Sequence, residues 1–175
     1  MRKFKKIVVT GGSGFIGSNF IMQLLKIKEV KKVLNIDSLN YSTKNNYQNF
    51  SSNERFSFIN CNINSKESLS KALKDFDYDV IFNFAAETHV DRSINAPEIF
   101  WQTNVMGVLN IIEIFRKRKK GNPLFIQIGT DEVYGSLKKG CKSFNETSAL
   151  NPQNPYSASK AVSYTHLTLP TILLV

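Results

Sequence analysis

Cysteine is nearly absent: the 175 residues hold two, Cys61 and Cys141, with no C-x-x-C pair and no Cys/His cluster at metal spacing. That excludes a disulfide scaffold and a structural zinc site, and it reads as reduced thiols in a cytoplasmic protein. Acidic residues are scarce, 14 against 23 lysines and arginines, for a formal charge of +9. No stretch approaches a membrane span, and Ile7-Val8-Val9 is too short for a signal-peptide core. Nine glycines and five prolines are too few for a disordered chain, and 42% hydrophobic residues suffice for one packed domain. There is no G-x-x-x-x-G-K-[ST], which excludes a P-loop.

The basic excess has local explanations. Five consecutive basic residues, 116–120, close a predicted helix before Gly121, where cations meet the negative end of the helix dipole. Arg2, Lys3, Lys5 and Lys6 lead into the first strand. No aromatic residues interleave with these clusters in a single-strand-binding pattern, so no nucleic-acid site is expected.

What the chain does have is alternation. Strands are expected at 7–10, 32–37, 55–61, 80–85 and 124–128, and helices at 15–28, 65–75 and from Pro97 toward Lys120. The fourth run, Val80-Ile81-Phe82-Asn83-Phe84-Ala85, lacks polar alternation, as expected when helices cover both faces. The pattern predicts an α/β fold, a doubly wound parallel sheet.

The first strand enters Gly11-Gly12-Ser13-Gly14-Phe15-Ile16-Gly17, a glycine loop opening a helix. Such a loop lets backbone amides approach a pyrophosphate. Asp37 ends the second strand, where a carboxylate accepts hydrogen bonds from an adenosine ribose and repels a 2′-phosphate; Ser38 brings no positive charge. NAD is the cofactor this pattern favours, a simple turn cap being the plainer reading of Asp37.

Two further segments carry reactive groups. Thr130-Asp131-Glu132 follows the fifth strand, at the sheet edge where open α/β proteins place their chemistry. By itself it reads first as an acidic turn. Tyr156 and Lys160 stand four apart, on one helical face, where an ammonium would lower the phenol's pKa and make it a base. Y-x-x-x-K also arises by chance on surface helices. His89 reads as a structural histidine, Asp91 and Arg92 as a local ion pair, and Trp101 as a packing or interface residue; no metal site is expected.

With these segments in view, the sequence resembles the extended short-chain dehydrogenase/reductase family and, within it, the dTDP-glucose 4,6-dehydratases. The resemblance rests on residues 10–17, 85–93, Thr103-Asn104-Val105, 130–135 and 155–160. It implies that Tyr156, with Lys160 and Thr130, deprotonates a sugar C4 hydroxyl as NAD accepts hydride. Glu132 then removes the C5 proton while Asp131 protonates the departing C6 hydroxyl, and hydride returns to C6. It further implies that Gly11, Gly14, Phe15, Ile16, Gly17, Asp37, Ser38, Leu39, Asn40, Asn62, Ile63, Phe84, Ala85, Ala86, Thr88, Thr103, Tyr156 and Lys160 hold the cofactor. Thr88 and Thr130 would face a nucleotide-sugar substrate, dTDP-glucose, and the full-length parent would be a homodimer. Two positions depart from the family pattern: Asn62 stands where Asp is common, and Gly129 where Ser is usual. An epimerase or reductase of the same family and a non-catalytic NAD-binding module are the other readings.

After Ala161 the resemblance ends. Val162-Ser163-Tyr164-Thr165-His166-Leu167-Thr168-Leu169-Pro170-Thr171 is Thr-rich and contains a proline, so the helix is expected to fail there. Residues 1–161 are read as an incomplete Rossmann-like domain and 162–175 as a non-native tail. The substrate-binding C-terminal portion is then absent, and this fragment is expected to be inactive.

Overall fold

The computed structural model describes residues 3–40, 46–118, 121–137, 139–140 and 142–172; side chains of residues 47, 49 and 165–172 lie outside that description. The chain divides into two compact units, Met1–Ala85 with Asn110–Ile128, and Ala86–Leu109 with Gly129–Val175.

The first unit carries the sheet. β1 (Lys6–Thr10), β2 (Lys32–Asp37), β3 (Phe56–Asn60), β4 (Val80–Asn83) and β5 (Leu124–Gln127) are all parallel, in the order β3-β2-β1-β4-β5. Alternate residues of each strand face opposite ways, and both faces are apolar because both are covered. Ile7, Val9, Val33 and Val80 pack with Ile21, Leu24 and Leu25 of α1 (Phe15–Lys26). On the other face, Val8, Leu34, Ile36 and Ile81 pack with Leu69 and Leu73 of α2 (Lys66–Lys74) and Ile111 of α5 (Val108–Lys117). The expected doubly wound sheet is therefore the observed one. Its strand order reverses between β1 and β4, the place where such sheets open a ligand crevice at their carboxyl ends.

The second unit holds α3 (Val90–Asn95), α4 (Pro97–Phe100) and a π-helical stretch, Trp101–Gly107, that runs on into α5. A 3₁₀ turn (Asp131–Tyr134) and α6 (Pro155–Ile172) complete it. Phe100 meets Tyr156 edge-on, ring centroids 6.3 Å apart.

Several expectations change. The helix from Pro97 is not uniform: its wider middle turn places buried Asn104 inward, and π-helical turns of this kind are frequent at functional sites. The helix does not fail after Ala161. Ser163 is buried and donates to the Asn104 carbonyl at 2.7 Å, and the helix runs through Pro170 to Ile172. Asp91 does not pair with Arg92; the Arg92 guanidinium reaches Glu87 at 3.4 Å instead. The basic run is not all solvated: Arg118 pairs with Asp77 and lies 3.9 Å above the Tyr78 ring. Lys119, Lys120 and Cys141 fall outside the described residues, and Cys61 is buried with its thiol pushed up by desolvation. No described helix is long and apolar enough to cross a membrane, and no described cluster could hold a metal ion.

Candidate active site

The glycine loop packs too tightly for side chains. Gly11 adopts φ +70°, and a Cβ there would lie 2.5 Å from the Ala85 amide nitrogen. At Gly17 a Cβ would strike the Gly11 carbonyl. Gly14 occupies the N-cap of α1 with no side chain to satisfy the first turn, so these amides are presented outward, ready for an anion. Beside them Phe15 and Ile16 are 81% and 64% exposed, an apolar surface that the fold itself does not cover.

Asp37 is 6% exposed, and its carboxylate accepts from the Ser13 amide and the Leu39 amide, each at 2.9 Å. It thus caps a turn and still stands at the end of β2; a carboxylate accepts about four hydrogen bonds, so the two readings of this residue are compatible. The second contact holds Leu39 in a left-handed conformation, φ 51°. Ser38 is exposed and Asn40 half-buried beyond it.

The other expected cofactor residues of this unit divide by role. Asn62 is exposed, but its Oδ1 already accepts from the Asn64 amide at 2.9 Å, so its amide group is the freer end. Ile63 is buried in the core. Phe84 packs its ring on Phe20, centroids 5.1 Å apart, and so contributes backbone rather than ring beside Gly11; Ala85 is half-buried. Sequence reading passed over Ser13, the centre of this loop. Its hydroxyl accepts from Asn35 at 3.0 Å, and its carbonyl accepts from Asn46 at 3.0 Å. Asn35 Oδ1 is buried without a hydrogen-bond partner. An asparagine inside the apolar run Val33-Leu34-Asn35-Ile36 was the available signal. An amide-lined helix start, two Cβ-free close approaches and a fixed buried carboxylate fit a dinucleotide such as NAD.

In the second unit, Thr130 caps the 3₁₀ turn by accepting from the Glu132 amide at 3.3 Å. Asp131 is exposed and Glu132 half-buried, its Oε2 accepting from the Asn154 side chain at 3.2 Å. The buried Tyr156 phenol lies close enough to Thr130 to feel its hydroxyl. Burial pushes the phenol above its ordinary pKa, the Thr130 hydroxyl draws it back, and the charges of Glu132 and Asp131 push it up again. The expected lowering by Lys160 is not the controlling effect. Lys160 is itself buried, and desolvation brings it down to about 8.

Asn104 organises the back of this group. Its Oδ1 accepts from the Glu87 amide, and its Nδ2 donates to the Glu87 carbonyl and the Ser159 hydroxyl, all at 2.9 Å. The side-chain amide thereby does for Glu87 what a neighbouring strand would do. Ala86 and Thr103 are half-buried near it in sequence, and Thr88 is exposed. The Cβ-free position Gly129 is filled: the Tyr164 phenol occupies that space and accepts from the Thr130 amide at 3.0 Å. The unit therefore gathers a hydroxyl, a phenol and two carboxyl groups.

The family described as GDP-mannose 4,6 dehydratase matches residues 8–168. A dTDP-glucose 4,6-dehydratase of Xanthomonas campestris pv. campestris (strain B100) is 40% identical over 164 residues, 89% of this chain and 46% of that protein. The crystal structure of dTDP-glucose 4,6-dehydratase from Bacillus anthracis in complex with NAD superposes with a TM-score of 0.80 at 39% identity, over 93% of this chain and 49% of that one. The UDP-Glc/GlcNAc 4-epimerase of Campylobacter jejuni gives a TM-score of 0.85 at 27% identity, over 97% of this chain and 50% of that one. This chain thus spans about half the length of the curated relatives it matches. From Val8 to Thr168 its sequence follows one established pattern, and the chain belongs to the GDP-mannose 4,6 dehydratase family.

Proposed function

We propose that this chain is the NAD-binding half of a nucleotide-sugar 4,6-dehydratase that converts dTDP-glucose to its 4-keto-6-deoxy form. The observation that carries this reading is the Asp131-Glu132 pair in the turn that Thr130 caps, close enough to buried Tyr156 to act on its phenol. An epimerase moves hydride without eliminating water and has no use for a second pair of proton-transfer groups. Several relatives that the chain matches at 36–40% identity are named dTDP-glucose 4,6-dehydratases, which supports the substrate choice.

NAD, when bound, supplies an electron-pair acceptor that returns the same pair at the end of the cycle. The protein's groups move the protons. Tyr156 takes the proton of the C4 hydroxyl while Thr130 holds that oxygen. Glu132, oriented by Asn154, takes the C5 proton once a C4 ketone has made it acidic. Asp131 gives a proton to the C6 hydroxyl as it leaves. The elimination needs one carboxyl ionised and the other protonated. Asp37 receives the ribose diol and disfavours a 2′-phosphate. Thr88 joins Thr130 on the sugar side.

In this reading the parent enzyme is a cytoplasmic homodimer. The test is product analysis. The complete genomic reading frame, incubated with NAD+ and dTDP-glucose, yields the 4-keto-6-deoxy sugar, and Asp131→Asn with Glu132→Gln abolishes it. Conversion to an epimer would replace this reading with the epimerase one, which the fold likeness to the Campylobacter jejuni protein favours.

A further inference from the structure

Three buried polar side chains lie on one rung of the sheet where apolar residues would be expected. Thr10, Asn83 and Gln127 are register partners across β1, β4 and β5, and each is the last residue of its strand. Thr10 and Asn83 are fully buried and Gln127 half-buried. The Thr10 hydroxyl hydrogen-bonds Asn83 Oδ1, Asn83 Nδ2 donates to Gln127 Oε1 at 2.7 Å, and Gln127 Nε2 donates to the Ile128 carbonyl at 3.3 Å.

The polarity of this chain is forced. The Ile128 carbonyl can only accept, so Gln127 must present its NH2 there and its oxygen to Asn83. Asn83 must then turn its own oxygen to Thr10, whose hydroxyl has to donate. Backbone bonds run through the same rung: the Phe84 amide donates to the Thr10 carbonyl at 2.9 Å, and the Ile128 amide to the Asn83 carbonyl at 3.1 Å. The residues directly below, Val8, Ile81 and Phe125, are apolar members of one core cluster. A polar row on top of them adds little net stability compared with apolar side chains of similar shape. What it adds is a fixed spacing of three strand ends.

Those ends lead directly into Gly11, into Phe84-Ala85 and, three residues further along the chain, into Thr130. Gly11 and Ala85 approach so closely that a Cβ at Gly11 would be 2.5 Å from the Ala85 amide nitrogen. We propose that Thr10, Asn83 and Gln127 are positioning residues, a side-chain ladder that holds the carboxyl ends of β1, β4 and β5 at the spacing the dinucleotide site requires. The proposal rests on the NAD-binding reading above and adds to it a device outside the cofactor's contact shell.

The test compares this chain with Asn83→Leu and with a triple variant, Thr10→Val, Asn83→Leu and Gln127→Leu. Urea unfolding, NAD+ titration calorimetry and amide hydrogen exchange at Phe84 and Ile128 are measured for each. Asn83→Leu leaves the Thr10 hydroxyl and the Gln127 side-chain oxygen without partners, so it lowers stability and weakens NAD+ binding about tenfold. The triple variant removes all three polar groups and recovers the urea midpoint, yet binds NAD+ as weakly as the single variant and exchanges the two amides faster. Recovery of affinity together with stability in the triple variant would reduce the ladder to ordinary packing and overturn the proposal, as would unchanged affinity in both. Should Asn83→Leu not fold, Gln127→Leu cuts the ladder at its half-buried end and must move affinity and exchange in the same direction. Failure of unaltered chain to bind NAD+ would instead overturn the cofactor reading, and amide exchange would still decide the ladder.

Discussion

Replacing Lys160 with methionine should make the folded chain more stable at neutral pH. Lys160 is buried, and desolvation holds its pKa at about 8 rather than the ordinary 10.5. At about 1.4 kcal/mol per pH unit, that interval corresponds to about 3 kcal/mol of unfavourable burial of the charged form. Below pH 8 the amine is protonated in both folded and unfolded chains, and the folded state carries the full penalty. Between about 8 and 10.5 the unfolded chain still holds a proton that the folded one has released, so stability rises with pH across that window. Lys160→Met keeps the side chain's length and removes the titration. Urea unfolding, followed by the fluorescence of the single tryptophan, Trp101, would be measured at neutral pH and near pH 9.5. Unaltered chain should gain about 2 kcal/mol over that range relative to the variant. Tyr156 works in the opposite sense: its pKa is raised in the fold, so its contribution is lost only as pH climbs past 10, beyond the range used. Parallel pH curves for the two proteins, or a variant less stable at neutral pH, would refute the reasoning.

Arg118→Ala should lower stability by about 1–2 kcal/mol, because it removes both the Asp77 ion pair and the guanidinium over Tyr78; thermal unfolding tests this, and Arg118→Lys should restore only part of it. Asn104→Ala strips the Glu87 backbone of both its partners and frees Ser159, at about 2–4 kcal/mol; a loss under about half a kcal/mol in chemical denaturation would contradict that role. Asp37→Asn turns an NH2 toward one of two amide donors, so NAD+ affinity should drop at least about tenfold with no gain for NADP+; a titration showing NADP+ preference would show that charge alone governs the position.

Much of the fold was legible because period and punctuation agree. Val80-Ile81-Phe82 could be a strand buried on both faces, and Gly11 to Gly17 could only be a tight strand-to-helix turn; each is where local chemistry put it. What escaped depends on partners distant in sequence. The π-helical turn at Trp101–Gly107 exists where Asn104 reaches Glu87 and Ser159, 17 and 55 residues away. Arg92 prefers Glu87 to its neighbour Asp91 for a similar reason, since adjacent residues on a helix do not face each other. Of the candidate site, the identities of the reactive groups were readable and their electrostatics were not. Spacing brings Tyr156 and Lys160 to one helical face, but only packing shows that burial, more than the ammonium, sets the phenol's pKa. Asn83 and Gln127 gave no signal beyond being polar in apolar strands.

The central claim is that Asp131 and Glu132 serve an elimination. Mass spectrometry of the product formed from dTDP-glucose in D2O by the complete reading frame tests it most directly. The account predicts a sugar that has lost one water and carries a solvent deuteron at C5, where Glu132 removed the original proton. A product of unchanged mass, isomerised at C4 and free of deuterium, would contradict it.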